Sequence, residues 1–199
     1  MRSQRREDEI TTKELMHILY ATQPNFRSYQ PNSRYDYDHG IDCDEVYPNI
    51  FIGDENAARS KIFLRRNGIT HVVNMAQGKL LGMVDTDQEF YKNTNIKYMG
   101  VCLMDLPVTN ISVYFERVAD FIENGIKNGG KVLVHCVMGV SRSSTSVLAY
   151  LMLKERLSAC EALSKIRKIR DIRPNDGFLF QLAQLDNKLK RERMRGIFL

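Results

Sequence analysis

Residues 131–153 constrain the fold of this chain more than any other stretch of its sequence. A short apolar run ends at His135, a loop containing Gly139 follows, and a helical pattern begins near Arg142. A strand that leads through a tight loop into a helix N-terminus turns several backbone N–H groups toward one point, where an oxyanion can bind. The pattern therefore predicts an α/β fold with an anion-binding loop at one end of a strand.

The same loop places a thiol and a guanidinium six positions apart, at Cys136 and Arg142. Thiol pKa values fall to roughly 3.5–7.5 beside cations and at helix N-termini, so we expect Cys136 to be a thiolate nucleophile. We expect Arg142 to bind two phosphoryl oxygens, more strongly in the transition state. Ser143 is placed to stabilise the thiolate as a leaving group. The alternative for Cys136 is a small, unreactive core residue.

Five loop residues are predicted to surround a bound phosphate with their backbone N–H groups: Val137, Met138, Gly139, Val140 and Ser141. Gly139 permits a positive φ angle or a close backbone approach that a Cβ atom would hinder. His135 either orients this loop or is a structural neighbour of it, and both alternatives stay open. The apolar side chains of Val137, Met138 and Val140 suit a phosphotyrosine ring.

At these residues the chain resembles the cysteine-dependent protein tyrosine phosphatase superfamily, whose pattern is His-Cys, five residues, Arg and then Ser or Thr. Residues 149–152 and 173–178 downstream, and 45–53 and 68–74 upstream, are similar to the VHR-like branch of atypical dual-specificity phosphatases. The similarity extends roughly from residue 11 to residue 190. It implies a phosphatase that hydrolyses phosphotyrosine and phosphoserine or phosphothreonine esters of proteins through a cysteinyl-phosphate intermediate.

The resemblance also implies roles for three residues outside the loop. Asp105, 31 positions before Cys136, matches the general acid that protonates the leaving oxygen and then acts as a base on water. Arg170 matches an arginine that binds a second phosphate or an acidic group near the site, although a solvated basic helix face is an equal alternative. Asn175 is expected to support the site structurally.

Apolar runs and helical periods alternate along the chain and predict a central, mostly parallel five-stranded sheet flanked by helices, as in protein tyrosine phosphatases. The predicted strands are residues 45–46, 50–53, 71–74, 97–101 and 131–135. The predicted helices are residues 11–21, 54–67, 110–127, 142–155, 159–169 and 175–193. Residues 77–93 form a long connection that is expected to be part of the pocket wall. We divide the chain into an N-terminal extension with a short amphipathic helix and a polar linker (1–43), a catalytic domain (44–190) and a basic tail (191–199).

Composition limits the remaining function classes. The 199 residues carry a net charge of +5 and are 43% apolar, which is ordinary for one globular domain. The basic termini lack interleaved aromatic residues, so no nucleic-acid partner is expected. The charged N-terminus and the lack of a long apolar run predict neither a signal peptide nor a membrane span. Four widely spaced cysteines then indicate a cytoplasmic or nuclear protein with reduced thiols.

The sequence therefore predicts a dual-specificity protein phosphatase, acting as a monomer or a weak dimer, without a cofactor or a metal site. Its predicted partners are phosphorylated proteins, with the activation loops of MAP kinases among the candidates. Two alternatives are a catalytically silent protein that binds phosphorylated residues and a phosphatase acting on RNA or carbohydrate. Cys102, three residues before Asp105, is either an accessory thiol or a redox partner of Cys136.

Overall fold

A five-stranded sheet forms the centre of the computed structural model, which describes residues 9–24 and 40–196. The strands are β1 (Cys43–Tyr47), β2 (Ile50–Gly53), β3 (Ile69–Asn74), β4 (Lys97–Gly100) and β5 (Lys131–His135). Their order across the sheet is β1-β2-β5-β3-β4. Strand β1 runs antiparallel to β2 and the other neighbours are parallel. This confirms the predicted mostly parallel sheet.

Seven α-helices are present in the described residues: α1 (Thr12–Ala21), α2 (Glu55–Arg59), α3 (Lys61–Arg66), α4 (Phe115–Lys127), α5 (Arg142–Leu153), α6 (Ala159–Arg167) and α7 (Asp176–Met194). A 3₁₀ turn, Ser112–Tyr114, precedes α4. The single helix predicted over residues 54–67 is wrong. Ser60 adopts an extended conformation there, ends α2 through its own N–H and caps α3 by accepting from Phe63 N. Because the Ser60 side chain accepts from the N–H of Phe63, Ser60 acts as the N-cap of a new helix.

Strand β5 occupies the middle of the sheet, and its side chains alternate between two hydrophobic clusters. Val132 and Val134 pack into the larger cluster, on one face, and Leu133 into the smaller one. Helix α5 is buried on all sides from Arg142 to Met152. Because both elements are fixed in the core, the loop that joins them is held at both ends.

Helix α1 shares the main core with the rest of the chain. Leu15 and Leu19 are buried in the larger hydrophobic cluster, and Arg167 Nε donates to Leu19 O over 3.1 Å. A capping box between Thr11 and Glu14 starts the helix. The predicted division of the chain at residues 43 and 190 stays a prediction, and most of the predicted linker, residues 25–39, lies outside the described residues.

In residues 9–24 and 40–196, no helix combines the length and the apolar character that crossing a membrane requires.

Candidate active site

The loop between β5 and α5, residues 136–142, lies at the carboxyl end of the central strand, where open α/β sheets bind ligands. We call it the phosphate loop. Its carbonyl groups all point away from a common centre, because each accepts a hydrogen bond from outside the loop or from the turn that follows. The donors to these carbonyls, in order from residue 136 to residue 141, are His135 Nδ1, Glu55 N, Arg170 Nη2, Arg170 Nε, Arg173 N and Thr145 N.

The outward carbonyls fix where the N–H groups of the loop point. In a trans peptide the C=O of one residue and the N–H of the next point in opposite directions, so the N–H groups of residues 137–142 face the centre. The N–H groups of Val140 and Ser143 approach the Cys136 sulfur. This ring of donors is the anion-binding nest that the sequence predicts.

Gly139 is required by this backbone. Its φ angle is +67°, and a Cβ atom there would lie 2.6 Å from Gly53 O and 2.7 Å from Arg170 Nη2. A side chain would therefore displace either strand β2 or the arginine that holds the loop.

Cys136 lies at the floor of the phosphate loop, and its side chain is buried. Burial acts to raise the pKa of the Cys136 thiol, but the hydroxyl and N–H of Ser143, the Arg142 charge and the Val140 N–H hold that pKa below its ordinary value. Ser143 Oγ lies 3.4 Å from Cys136 Sγ. The predicted contact between Ser143 and the sulfur is present, and the surroundings favour the thiolate.

Arg142 is also buried, and its guanidinium is positioned by two backbone carbonyls. Nη1 donates to Gly82 O and to Leu103 O, over 3.0 Å each. Nε makes no hydrogen bond with any described residue, although Asp105 Oδ2 lies 3.3 Å away, outside hydrogen-bonding alignment. Because a buried donor needs a partner, Nε is a group that a phosphoryl oxygen can accept from.

Asp105 faces the phosphate loop from the segment after β4. Its Oδ1 accepts from Ser141 Oγ and from Asn175 Nδ2, over 2.8 Å each, while Oδ2 faces Arg142. Asn175 also caps α7 by accepting from Phe178 N. The structure thus brings Asp105, Ser141 and Asn175 together, from three separate parts of the chain, beside the phosphate loop.

His135 is fully buried beneath the loop. Its Nδ1 lies 3.1 Å from Cys136 O, and since a carbonyl oxygen only accepts, Nδ1 carries the proton. Burial lowers the pKa of His135 to about 4, and the nearby charges of Arg59 and Arg142 act in the same direction, whereas the bond to Cys136 opposes them. His135 therefore stays neutral at pH 7 and supports the loop.

Arg170 lies behind the phosphate loop, and its predicted role in binding substrate stays a prediction. Its side chain is 4% exposed, and it holds the Met138 and Gly139 carbonyls from behind. Its guanidinium also pairs with Asp42 Oδ2 and Asp44 Oδ2, over 2.7 Å each. In this structure the guanidinium therefore connects two carboxylates to the backbone of the phosphate loop.

The side chains of the predicted apolar loop residues differ in position. Val137 is half-buried and packs against the main core, and Val140 is also half-buried. Met138 is 68% exposed. Only Met138 among these three therefore presents most of its side chain at the surface beside the loop.

Some residues that build the site were missed from the sequence. Asp42 and Asp44 lie 128 and 126 positions from Arg170, and nothing in their local pattern signals an ion pair. Gly82 contributes a backbone oxygen, which its residue type does not reveal. The expectation that residues 77–93 contribute to the pocket wall did place Gly82 in the correct region.

Comparisons with known proteins agree with this geometry. Residues 50–188 match the family described as dual specificity phosphatase, catalytic domain. The chain is 49% identical over 149 residues to dual specificity protein phosphatase 13B of Mus musculus, which covers 74% of each protein. It is 45% identical over 150 residues to dual specificity protein phosphatase 26 of Homo sapiens, covering 75% of this chain and 69% of that protein.

Solved structures show the same similarity. A mouse putative dual specificity phosphatase, complexed with zinc tungstate, has a TM-score of 0.67 and 25% identity, covering 83% of this chain and 98% of that one. The match of residues 50–188 includes the sheet from β2 to β5, the phosphate loop and Asp105. This chain therefore belongs to the dual specificity phosphatases, within their atypical, VHR-like group.

Proposed function

We propose that Cys136 is the nucleophile in a two-step hydrolysis of phosphate monoesters. In the first step the Sγ thiolate attacks phosphorus, the bond from phosphorus to the ester oxygen breaks, and Asp105 gives its proton to the departing oxygen. Arg142 and the inward N–H groups stabilise the charge on the other phosphoryl oxygens. This step yields a cysteinyl phosphate and the free hydroxyl of the substrate.

In the second step a water molecule attacks phosphorus and gives a proton to Asp105, which is now ionised. The bond between sulfur and phosphorus breaks, inorganic phosphate forms, and the thiolate returns. Ser143 Oγ, close to the sulfur, donates to the departing thiolate. The acid is thus restored at the end of each cycle.

The single observation that carries this mechanism is the convergence of the loop N–H groups on a buried thiol whose pKa is lowered. Burial raises the pKa of the half-buried Cys43 thiol to about 12, and the carboxylates of Asp44, Asp54 and Asp42 add to this effect while Arg170 opposes it. The pKa values of Cys43 and Cys136 therefore shift in opposite directions. The difference lies in the donors and the cation around Cys136.

Members of this family hydrolyse phosphotyrosine and phosphoserine or phosphothreonine in proteins, so phosphoproteins are the substrate class. We propose phosphorylated kinase segments, including MAP kinase activation loops, as substrates to test first. The placement of Arg170 gives no support to a preference for doubly phosphorylated segments, because two carboxylates already occupy its guanidinium. We also propose a cytoplasmic or nuclear location, where reducing conditions preserve the Cys136 thiolate, and a monomer or a weak dimer.

The mechanism is tested by hydrolysis of a small aryl phosphate in excess chelator. Wild-type protein is expected to be active, Cys136→Ser to be inactive, and Asp105→Asn to lose about 10²- to 10⁴-fold in kcat, the usual contribution of a general acid. Wild-type protein that binds phosphopeptides tightly but does not hydrolyse them would contradict the proposal and indicate a silent binding protein. Faster turnover of RNA or carbohydrate phosphates than of phosphopeptides would contradict the proposed substrate class.

A further inference from the structure

Exposed apolar side chains are concentrated around the phosphate loop. Six of the large apolar residues that are exposed in the described part of the chain lie on three segments that meet there: Leu80, Leu81, Met104, Leu106, Val108 and Met138. We call this set the apolar rim. Leu81 is 97% exposed and Val108 is 90% exposed. Apolar surface gathered in this way marks an interaction site more often than single scattered residues do.

Each of the three segments is tied to the catalytic groups. Leu81 precedes Gly82, whose carbonyl accepts from Arg142. Leu106 directly follows Asp105, and Met138 belongs to the phosphate loop itself. Each segment that carries the rim therefore borders the phosphate-binding centre.

The rim is held in place by the structure beneath it. Asn74 Nδ2 donates to Val84 O over 3.0 Å and fixes the segment that carries Leu81. Gln181 Nε2 donates to Thr109 O over 2.9 Å. Gly177 packs so closely on the segment after Asp105 that a Cβ atom there would lie 1.8 Å from Pro107 O. A preformed apolar surface binds a ligand without a further ordering cost.

The charges around the rim give no attraction for acidic segments. Residues 77–93 carry a net charge of −1, from Lys79, Lys92, Asp85, Asp87 and Glu89. On the other side, Asp42 and Asp44 pair with Arg170 behind the phosphate loop, and Asp171 pairs with Arg173, whose N–H holds Val140 O. In the proposed mechanism Arg142 binds the phosphate itself and not the residues beside it. Recognition of the residues beside the phosphate therefore depends on apolar contact.

We propose that the apolar rim selects phosphorylated protein segments with large apolar residues on either side of the phosphorylated residue. This inference rests on the proposed function, since it names the substrate class of the same site. Its occupant is an extended phosphopeptide segment of a substrate protein, anchored by its phosphate in the phosphate loop. Leucine, valine or methionine beside the phosphorylated residue would cover Leu81, Val108 or Met138.

The test compares two phosphotyrosine peptides that differ in the two residues on each side of the phosphotyrosine, leucine in one and glutamate in the other. We expect wild-type kcat/KM to be about tenfold higher for the leucine peptide, a typical effect of burying one apolar side chain. A small aryl phosphate, which has no flanking residues, reports separately on the catalytic centre. Equal values for the two peptides, or a preference for glutamate, would overturn the proposal.

Two variants test whether the apolar rim causes the preference for the leucine peptide. Leu81→Ser and Val108→Ser are each expected to reduce the ratio of leucine-peptide to glutamate-peptide kcat/KM by about threefold or more. Ile62→Ser is the matched control, because Ile62 is an exposed apolar residue on α3. A ratio that is unchanged in both rim variants, or reduced as much by Ile62→Ser, would contradict the role of the rim.

Measurements of peptide binding distinguish a failure of this inference from a failure of the proposed function. If no substrate is hydrolysed, the proposed function fails, and the dissociation constants of the same two peptides for Cys136→Ser still test the rim. A second copy of this chain is the competing occupant. A dimer that Leu81→Ser dissociates, with the peptide preference unaltered, would assign the rim to self-association and overturn the proposal.

Discussion

At the scale of single residues, the site depends on reversing the usual effect of burial on a thiol. Removal from water raises a thiol pKa, and the pKa of Cys136 is lowered because Ser143, Arg142 and the Val140 N–H stabilise the charged form. A group with a lowered pKa is ionised at lower pH than in the unfolded chain. Cys136 should therefore react at lower pH values than a free thiol does.

We expect Ser143→Ala to raise the pKa of Cys136, because the variant removes the hydroxyl that lies 3.4 Å from the sulfur. The pH midpoint for alkylation of Cys136 by iodoacetamide should move upward. The kcat for an aryl phosphate should fall by about 10- to 100-fold, as expected for one hydrogen bond to a charged group. Alkylation with the same midpoint in both proteins would show that the hydroxyl does not stabilise the thiolate.

Arg170 gives a second prediction at this scale. Arg170→Ala removes the donors to Met138 O and Gly139 O, so we expect similar losses of kcat/KM for an aryl phosphate and for a doubly phosphorylated peptide. Arg173→Ala is the control, because its side chain is exposed at the surface while its backbone N–H still holds Val140 O. A loss confined to the doubly phosphorylated peptide would support the role first predicted for Arg170.

The sequence could identify residues that belong to a local pattern, and not those joined by long-range contacts. Cys136, Arg142 and Ser143 lie within eight positions, where a strand, a loop and a helix dictate their mutual placement. Asp42 and Asp44 reach Arg170 through the pairing of β1 with β2, and that register depends on the whole sheet. The family match begins at residue 50, so it does not include them either.

At the scale of elements, β2 and β5 were predicted with their observed bounds because each is a short, largely apolar run. Strands β1 and β3 each begin two residues earlier than predicted, at positions where the sequence includes a polar residue. The break between α2 and α3 was not, since residues 54–67 keep a continuous helical pattern across Ser60. Helix α1 was expected from its amphipathic pattern. Its contribution to the core depends on contacts with residues more than one hundred positions away, such as Arg167.

We expect Leu19→Ala to lower the free energy of unfolding by about 2–5 kcal/mol, because Leu19 is a buried core residue on α1. Urea unfolding measures this loss. Tyr20→Ala, at the exposed neighbouring position, should change the stability by less than about 0.5 kcal/mol. Equal, small losses for both variants would show that α1 contributes little to the stability of the domain.

At the scale of the whole molecule, two buried histidines link stability to pH. Burial lowers the pKa of His135 to about 4 and also lowers that of His71, with Lys97 adding to the effect on His71. Each histidine takes up a proton more readily in the unfolded chain, whose histidine pKa is near ~6.5. The contribution of each histidine to the free energy of unfolding is therefore fully present above the unfolded pKa. It is lost as the pH falls from the unfolded pKa toward the lower folded pKa.

From pH 7 to pH 5, His135 alone should remove about 2 kcal/mol from the free energy of unfolding, given its folded pKa of about 4. Urea unfolding of wild-type protein and of His135→Asn at both pH values isolates this contribution. The variant should lose less stability between the two pH values. An equal loss in the two proteins would show that His135 titrates alike in the folded and unfolded states.

In the proposed mechanism Cys136 carries the phosphoryl group during turnover, and capture of that intermediate tests this directly. Wild-type protein is mixed with a phosphorus-labelled aryl phosphate, quenched within one turnover, digested and analysed by mass spectrometry. We expect one phosphoryl group on the peptide that contains Cys136 and none on that peptide in Cys136→Ser. Rapid hydrolysis with no label on Cys136, or with label on another residue, would contradict it.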